Sequence, residues 1–307
     1  MTASQEPPSL IIVGTGAMAC LFGARLASAA RVTLTGSWAE AIAAMRARGI
    51  VVEESSTRTV ARVAVAAWTE ELEPADLVLV LVKSWQTADV AGRLARLLTP
   101  GGVALTLQNG LDNLERLGSR ACLGVTYQGA TLLAPGCVRS AGAGPTWISG
   151  PAWLVPLFRS AGLAAEPCEP QRADGLLWGK LSSNCGINAL TALLRVPNGE
   201  LLRRPDARLL MQRAAVECAG VAQAKGITLP FPDAAAEADE VARLTAANRS
   251  SMLQDVARGA PTECEAINGA VVRWGARLGV PVPVNEILYR MVRALASPPC
   301  ATPDGGV

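Results

Sequence analysis

The start of the chain joins a short apolar strand to an apolar helix through a glycine-rich turn. Residues 9–14 read SLIIVG, and the glycine turn GTGAMA begins at Gly14. An apolar helix pattern covers 18–29, and VTLT at 32–35 predicts a second strand. A strand, a glycine turn, a helix and a second strand within roughly 30 residues are what a dinucleotide-binding fold requires. The sequence therefore predicts an α/β fold that begins with a Rossmann-type dinucleotide-binding domain.

The two glycines of this turn have different expected tasks. Gly14 permits the tight turn, and Gly16 lets the backbone approach a pyrophosphate. The helix N-terminus then presents free N–H groups and a partial positive charge to the phosphates. Ala19 stands where the motif often has a third glycine, which is an accepted variant. A purely structural glycine turn is the alternative, and the flanking strand and helix favour phosphate binding.

The segment after the second strand predicts which dinucleotide is bound. An acidic residue that binds the adenosine ribose is expected about 20 residues beyond the glycines. Thr35, Gly36, Ser37 and Trp38 occupy this stretch, and the first carboxylate is Glu40. A missing acid removes the repulsion against a 2′-phosphate, which favours NADP over NAD. Because no arginine lies at the strand end either, the hydroxyls of Ser37 and Thr35 are expected to serve the phosphate, with a basic residue from elsewhere in the chain as a further candidate.

Polar side chains follow two further buried strand patterns. The apolar run 75–83 ends in Lys83 and is followed by Ser-Trp-Gln86, and the run 102–110 ends in Gln-Asn109-Gly. Continuous apolar runs are typical of parallel strands that are covered on both faces. Ligands of open α/β sheets bind at the carboxyl ends of such strands, so we expect these polar groups to share one crevice. Ordinary turn chemistry is the alternative for Asn109.

Lysine is scarce in this chain. Of the 28 basic residues 25 are arginine, and there is no histidine. Arginine cannot release a proton near neutral pH, whereas a lysine can once burial lowers its pKa. Lys180 lies in the polar string KLSSNCGIN, which makes it a candidate proton donor of an enzyme. Survival of a few lysines by chance is the alternative.

The second half of the chain changes to helix patterns from about Pro170. Lys180, Asn184 and Asn188 are spaced i, i+4 and i+8, so a helix places all three on one stripe. Polar groups on such a stripe either face solvent or line a polar site, because burial without partners is unfavourable. A solvated stripe would normally carry better helix formers than asparagine. The pattern therefore favours a polar ligand-binding site over a solvent-exposed stripe.

A later segment carries a second polar stripe. Ser251 and Asp255 are spaced to share one helix face, and we expect Pro261 or Thr262 to open the following helix. Glu263 would then lie in the first turn of that helix. Favourable charge at a helix N-terminus is the alternative explanation for this glutamate.

Length and composition limit the class of protein. A chain of 307 residues suggests two domains, because single cores rarely grow past about 250–300 residues. We predict a dinucleotide-binding domain at 1–169, a helical domain at 170–296 and a disordered tail at 297–307. The net charge of +2 and the absence of basic blocks argue against a nucleic-acid partner. The first residues lack the charged and apolar regions of a signal peptide, and no apolar stretch approaches the ~20 residues of a membrane span. A cytoplasmic protein without membrane contact is therefore expected.

The cysteines do not predict a metal site. Eight cysteines are scattered without CxxC pairs, and the absence of histidine excludes a Cys/His site. Reduced thiols are the expectation for a cytoplasmic protein.

The chain resembles the ketopantoate reductase (2-dehydropantoate 2-reductase) family in a series of short strings. They are GTGAMA, KSWQ, QNG, KLSSNCGINALTA, PNGEL, SSMLQD and TECEAINGAVV, in the order and spacing of that family. The similarity extends over about residues 10–295. The lysine–asparagine string together with SSMLQD is specific to the family and its close paralogues. The resemblance implies a Rossmann domain, an all-helical domain and NADPH-dependent reduction of 2-dehydropantoate to (R)-pantoate, a step toward pantothenate.

The resemblance also implies roles for individual residues. By motif position Lys180 is the general acid, and Glu263 is the acidic residue at the substrate end. Lys83 and Asn109 face the nicotinamide side. Ser37 stands where many members carry a basic residue. The expected substrate-binding residues are Asn109, Asn184, Asn188, Asn198 and Ser251. The expected cofactor-binding residues are Gly14, Thr15, Gly16, Ala17, Met18, Ser37, Lys83, Gln86 and Asn109.

The proposed chemistry agrees with the residues present. Reduction of a ketone needs a hydride, which NADPH supplies, and a proton for the developing alkoxide. An ammonium beside the carbonyl can stabilise the oxyanion and then donate that proton. Two alternatives stay open: a related NADP-dependent reductase of another 2-keto or 3-keto acid, and a non-catalytic protein that senses NADP. A small-molecule keto acid is the expected partner, and homodimer formation is left open.

Overall fold

The computed structural model describes residues 6–296, so the predicted tail at 297–307 lies outside the described residues. The chain divides into two compact units, Met1–Asp174 and Gly175–Val307. The boundary falls inside the helix that covers Pro170–Leu194.

A ten-stranded sheet forms the frame of the first unit. The strands are β1 (Ser9–Val13), β2 (Arg31–Gly36), β3 (Ile50–Glu54), β4 (Thr57–Ala61), β5 (Ala64–Ala67), β6 (Ala75–Val80), β7 (Leu98–Thr106), β8 (Ala121–Ala134), β9 (Cys137–Ser149) and β10 (Ala165–Pro167). Their order is β4-β3-β9-β8-β7-β6-β1-β2-β5, and β10 pairs with β9 off this path. The six consecutive strands from β8 to β5 are parallel to one another, as a Rossmann-type sheet requires.

Helices connect these strands and form the second unit. In the first unit they are α1 (Ala17–Leu26), α2 (Ala39–Arg48), α3 (Thr87–Leu97), α4 (Asn113–Leu117) and α5 (Leu154–Ser160). Helix α6 (Pro170–Leu194) runs from the first unit into the second. The remaining helices are α7 (Pro205–Ala224), α8 (Ala234–Leu244), α9 (Ser251–Ala257), α10 (Asn268–Leu278) and α11 (Pro283–Ala296). Short 3-10 turns cover Ser84–Gln86 and Asn198–Leu201.

The central strand β1 is buried on both faces. Ile12 packs into a core that includes Phe22 of α1, whereas its neighbour Val13 belongs to a separate core that includes Val90 of α3. Successive side chains of a strand point to opposite faces, so a strand between two helical layers must be apolar throughout. This explains why the strand reads as an uninterrupted apolar run and why it was predicted from the sequence.

The end of the first unit differs from the sequence-based expectation. In the sequence, residues 121–168 read as shorter strand patterns rich in glycine and proline, whereas β8 and β9 run for 14 and 13 residues as an antiparallel pair. Their glycine- and alanine-rich stretches carry no clear alternation, and three register shifts interrupt the pairing. Each strand is defined by its partner, and a buried hydroxyl pair between Thr126 and Thr146 (2.9 Å) supports the pairing. Local sequence patterns do not contain that information.

Elements α2, β3, β4 and β5 were also not predicted. Helix α2 buries only Ala41, Ile42 and Met45, and every residue of β4 except its last is exposed. Short or largely exposed elements leave a weak periodic signal in the sequence.

The described part of the second unit, residues 175–296, is helical and contains no strand, as the sequence predicted. Within 6–296 we find no helix that is both long and apolar enough to cross a membrane.

Candidate functional site

The turn after β1 is shaped by a glycine that no other residue can replace without strain. Gly14 adopts φ +138°, and a Cβ at this position would lie 2.8 Å from the carbonyl oxygen of Leu81. Its N–H donates to the carbonyl of Thr35 in β2 at 2.8 Å. The turn is therefore pressed between the ends of β2 and β6, as the tight first turn of a dinucleotide fold demands.

Gly16 faces open space instead. It is the N-cap of α1 with extended backbone and no side-chain cap, and a Cβ added there would meet nothing within 4 Å. The first N–H groups of the helix, including those of Ala17 and Met18, have no partner within the helix itself. An uncapped helix N-terminus beside a glycine with free space in front of it fits a phosphate group. Thr15, between the two glycines, is buried.

The end of β2 lacks a carboxylate, as its sequence indicated. Thr35 is fully buried, its hydroxyl has no hydrogen-bond partner, and Ser37 is exposed. Glu40 lies in the first turn of α2 and is also exposed. The group nearest to the strand end that can reach a ligand in solvent is thus the neutral hydroxyl of Ser37.

The tips of β6 and β7 are joined by a buried hydrogen-bond network. The Gln108 side-chain amide donates to the Val82 carbonyl (3.0 Å) and to the Thr87 hydroxyl (2.9 Å). That hydroxyl donates to Asn113, whose amide donates to the Asn109 carbonyl at 3.0 Å. The network therefore joins the ends of the two strands. Gln108 has a structural role in this network, together with Thr87 and Asn113, which the sequence did not single out.

Three predicted residues of this region surround the network. Lys83 is the N-cap of the 3-10 turn Ser84–Gln86, and both Lys83 and Gln86 are partly buried. Asn109 is also partly buried. Each of these side chains therefore keeps some accessible surface with which it can contact a ligand.

Helix α6 carries the predicted polar stripe of the second unit. Lys180, Asn184 and Asn188 all lie within this continuous helix. The first two are partly buried, and Asn188 is buried. Around them the helix is largely buried, with Leu181 and Ile187 in the core and buried hydroxyls at Ser182, Ser183 and Thr191. The stripe is thus a line of polar side chains on an otherwise buried helix.

The ammonium of Lys180 has an unusual environment. Burial lowers its pKa from 10.5 to about 8, and the carboxylate of Glu263 opposes this change by raising the pKa. Glu263 itself is only 6% exposed. A lysine with a pKa near 8 is protonated at neutral pH and can still release its proton, as a general acid must.

Glu263 reaches this position from a turn. Its expected place was the first turn of a helix beginning at Pro261 or Thr262, but helix α10 begins only at Asn268. The chain before it forms hydrogen-bonded turns, and Ile267 departs from helical geometry at φ −99° and ψ −93°. The Asn268 side chain bonds to other helices, a constraint that local spacing does not reveal.

Ser251 lies in the first turn of α9, beside a capping serine. Ser250 caps the helix by accepting from the Leu253 N–H at 3.0 Å. The same hydroxyl lies 2.7 Å from that of Thr191 in α6. This pair connects the start of α9 to the helix that carries Asn188. The sequence did not single out Thr191 or Ser250.

Asp255, expected on the same face of α9 as Ser251, is buried and forms an ion pair with Arg258 at 2.8 Å.

Asn198 begins the 3-10 turn after α6 and has an incomplete set of partners. Its side-chain amide nitrogen donates to the Thr245 hydroxyl at 2.9 Å. Its Oδ1 is buried and has no hydrogen-bond partner. A buried free acceptor is unfavourable unless a ligand donates to it.

No metal centre is found in residues 6–296, where no three His, Cys, Asp or Glu side chains are arranged to hold an ion.

Comparisons of sequence identify relatives for both units. Residues 10–152 match the family model described as ketopantoate reductase PanE/ApbA, and residues 173–296 match the model of its C-terminal part. A 2-dehydropantoate 2-reductase of Halobacterium salinarum is 37% identical over 300 residues, which cover 92% of this chain and 97% of that protein. The two family matches together cover most of the chain.

Solved structures that superpose on this chain include a member of the same family. The crystal structure of a PanE/ApbA family ketopantoate reductase from Ralstonia eutropha JMP134 superposes with a TM-score of 0.86 at 33% identity, covering 94% of this chain and 98% of that one. A D-mandelate dehydrogenase in complex with NADH superposes with a TM-score of 0.84 at 25% identity, again covering 94% and 98%.

Proposed function

The chain belongs to the ketopantoate reductase family, and from this membership we propose that it reduces 2-dehydropantoate to (R)-pantoate with NADPH. Lys180 donates the proton in this proposal. The reaction would supply pantoate for pantothenate biosynthesis in the cytoplasm.

One observation carries the proposal. Lys180 combines a pKa of about 8 with a place on the same stripe of α6 as Asn184 and Asn188. A lysine that served only as a positive charge would gain nothing from a lowered pKa, and arginine would be the better choice. A lowered pKa near the working pH is the property of a group that transfers protons.

The first unit is proposed to hold the cofactor. Gly14 shapes the turn, Gly16 leaves space for the pyrophosphate, and the N-terminus of α1 faces it. At the end of β2 the exposed Ser37 would meet the adenosine ribose, where the lack of a carboxylate supports NADP. Lys83, Gln86 and Asn109 would contact the nicotinamide half. When bound, the reduced nicotinamide supplies the hydride.

The second unit is proposed to hold the keto acid. The side chains of Asn184, Asn188 and Ser251 offer hydrogen-bond donors for a substrate carboxylate and hydroxyl. Asn198 offers the free acceptor Oδ1, which suits a substrate hydroxyl. Glu263 would accept from that same end of the substrate while it keeps Lys180 charged.

The proton transfer follows from these positions. The ammonium of Lys180 donates a hydrogen bond to the ketone oxygen and stabilises negative charge as it develops there. It then transfers the proton from Nζ to the alkoxide, which leaves a neutral amine. The nearby carboxylate of Glu263 raises the pKa of the amine and therefore favours its return to the ammonium form.

The direct test is turnover by the purified protein. Consumption of NADPH is followed with 2-dehydropantoate, and the product is identified as (R)-pantoate by chiral chromatography. A panel of 2-keto and 3-keto acids of similar size is measured in parallel. The proposal requires 2-dehydropantoate to have the highest kcat/KM of the panel, and a clearly better keto acid contradicts the substrate assignment.

A second candidate is a reductase of another 2-keto acid. It is favoured by the similarity to a D-mandelate dehydrogenase that was crystallised with NADH. Such an enzyme would keep the lysine chemistry and change only the residues around the substrate side chain. An aromatic 2-keto acid in the panel separates the two candidates, because the second predicts turnover of that compound above that of 2-dehydropantoate.

A further inference from the structure

A buried chain of side-chain amides links four helices of the second unit. Asn268, fully buried at the start of α10, donates from Nδ2 to the Cys185 carbonyl of α6 at 2.9 Å. It also donates to Asn285 Oδ1 of α11 at 3.0 Å. Asn285 is fully buried as well, and it donates to the Glu217 carboxylate of α7 at 2.9 Å. The Asn268 amide is therefore held from two directions.

The orientation of the Asn268 amide is determined by its partners. The Cys185 carbonyl can only accept, and Asn285 uses its own amide nitrogen as a donor toward Glu217. The nitrogen of Asn268 must therefore face both partners. Its Oδ1 is then buried without a partner, which is unfavourable. An apolar side chain would remove this free acceptor, but it would also remove the donor that the buried Asn285 Oδ1 receives, so the two bonds of Asn268 tie its turn to α6 and α11.

The turn before Asn268 is closed by its own hydrogen bonds. The carbonyl of Glu263 accepts from the N–H groups of Ala266 and Ile267, both at 3.1 Å. The N–H of Gly269 donates to the Cys264 carbonyl at 2.8 Å. Residues 263–269 thus form one hydrogen-bonded unit, and the Asn268 side chain bonds this unit to α6.

The hydrogen bond between Asn268 and Cys185 joins the segments that carry the two charged residues Glu263 and Lys180. Glu263 precedes Asn268 by five positions, and Lys180 precedes Cys185 by five positions in a helix, or roughly 7.5 Å along its axis. We propose that Asn268 is a positioning residue, which holds the Glu263 carboxylate against the Lys180 ammonium. The inference rests on the proposed function in one respect only, the assignment of Lys180 as proton donor.

Other charged groups near this network act elsewhere. The carboxylate of Glu217 accepts from the backbone and side chain of Asn285 and influences the thiol of Cys185. Glu265 is exposed and bonds to Arg273 and to the hydroxyl of Tyr289. Glu263 is the carboxylate whose effect on the ammonium of Lys180 is evident. If the turn moves away from α6, Lys180 loses the interaction that raises its pKa.

The pKa of Lys180 can be measured without turnover. The chain has only three lysines, Lys83, Lys180 and Lys225, so a protein labelled with 13C at lysine Cε gives three titration curves by NMR. The curve of Lys180 is identified by its absence in Lys180→Arg. Glu263→Gln measures the full effect of the carboxylate, and we expect it to lower the pKa by about one unit, the order for an opposite charge a few ångströms away.

The test uses Asn268→Leu, which has a similar branched shape, and Asn268→Ser, whose side chain is too short for both acceptors. We expect the Lys180 pKa in these variants to fall toward the value of Glu263→Gln. Asp233→Ala is the matched control, because it removes the N-cap of α8 and lowers stability without touching the network. It should leave the pKa unchanged.

The possible outcomes separate this inference from the proposed function. A folded Asn268 variant with the pKa of the parent protein would show that Asn268 only stabilises the fold, and the inference would be rejected. It would also be rejected if Glu263→Gln left the pKa unchanged. A lowered pKa in a protein that does not reduce 2-dehydropantoate would support the inference and reject the proposed substrate.

Discussion

The carboxylate of Glu263 offsets part of the loss of hydration at Lys180, whose pKa burial lowers to about 8. The two residues are 83 positions apart in sequence, one in the long helix α6 and the other in the turn before α10. Burial alone would make the lysine neutral near physiological pH, and a close carboxylate alone would make it a permanent cation. The combination keeps it charged but able to release a proton.

Replacement of Lys180 is expected to slow the chemical step strongly while leaving cofactor binding intact. Lys180→Ala should lower kcat by roughly 10²–10⁴, the usual contribution of a positioned general acid. Lys180→Arg should not restore it, because guanidinium does not give up a proton near neutral pH. Steady-state kinetics and NADPH titration by fluorescence measure both effects. Near-normal kcat in Lys180→Arg would mean that the residue acts only as a positive charge.

The pH dependence of the reaction should report the same lysine. A general acid must be protonated, and a pKa lowered to about 8 means that Lys180 is protonated below pH 8 and neutral above it. We therefore expect kcat/KM to be constant below this value and to fall as pH rises through it. Profiles of the parent protein and of Lys180→Ala are compared. A falling limb of equal position and steepness in the alanine variant would assign that limb to another group.

Cofactor preference is expected to depend on the end of β2. NADPH should give a higher kcat/KM than NADH, because no carboxylate is present from Thr35 to Trp38 to repel a 2′-phosphate. Ser37→Asp should shift the preference toward NADH, since a carboxylate repels the phosphate and can bind the ribose diol. Ser37→Asn is the matched neutral control. Equal or higher efficiency with NADH in the parent protein would contradict the prediction.

The polar residues of the second unit are expected to serve the substrate. Alanine at Asn184, Asn188 or Ser251 should raise KM for the keto acid with little change in melting temperature. Loss of a hydrogen bond to a charged group costs about 1.5–3 kcal/mol, or roughly ten- to a hundredfold in kcat/KM. A variant that loses stability while its folded fraction keeps a normal KM has lost a structural residue instead.

The hydroxyl pair between Thr191 and Ser250 is expected to position Ser251. Thr191→Val removes the 2.7 Å contact that joins the cap of α9 to α6. KM for the keto acid should rise about two- to tenfold, the value of one neutral hydrogen bond, with no change in KM for NADPH. Ser182→Ala is the control, because this buried hydroxyl of α6 bonds only within its own helix, to the Gly179 carbonyl. Equal effects on KM in both variants would refute a positioning role.

The Rossmann-type start of the first unit, its buried strands β1 and β6, and the polar stripe of α6 could be predicted from the sequence alone. Burial of β1 and β6 on both faces requires apolar runs, and the tight turn after β1 requires glycine at Gly14, so both features can be recognised in the local sequence. The stripe from Lys180 to Asn188 follows from helical spacing, since residues four apart lie on one face. These features depend on neighbours in sequence.

Other features were decided by tertiary structure. Glu263 was expected in the first turn of a helix, but Asn268 bonds to Cys185, 83 positions away, and the helix begins only there. Thr191 and Ser250, 59 positions apart, join two helices through their hydroxyls. Both hydrogen bonds join residues that are far apart in sequence, so neither the helix nor the strand periodicity predicts them. Local sequence therefore determined the glycine turn, the buried strands and the polar stripe of α6, because each depends on neighbouring residues. Contacts between distant side chains decided where α10 begins and how the charged and polar groups of the candidate site are held.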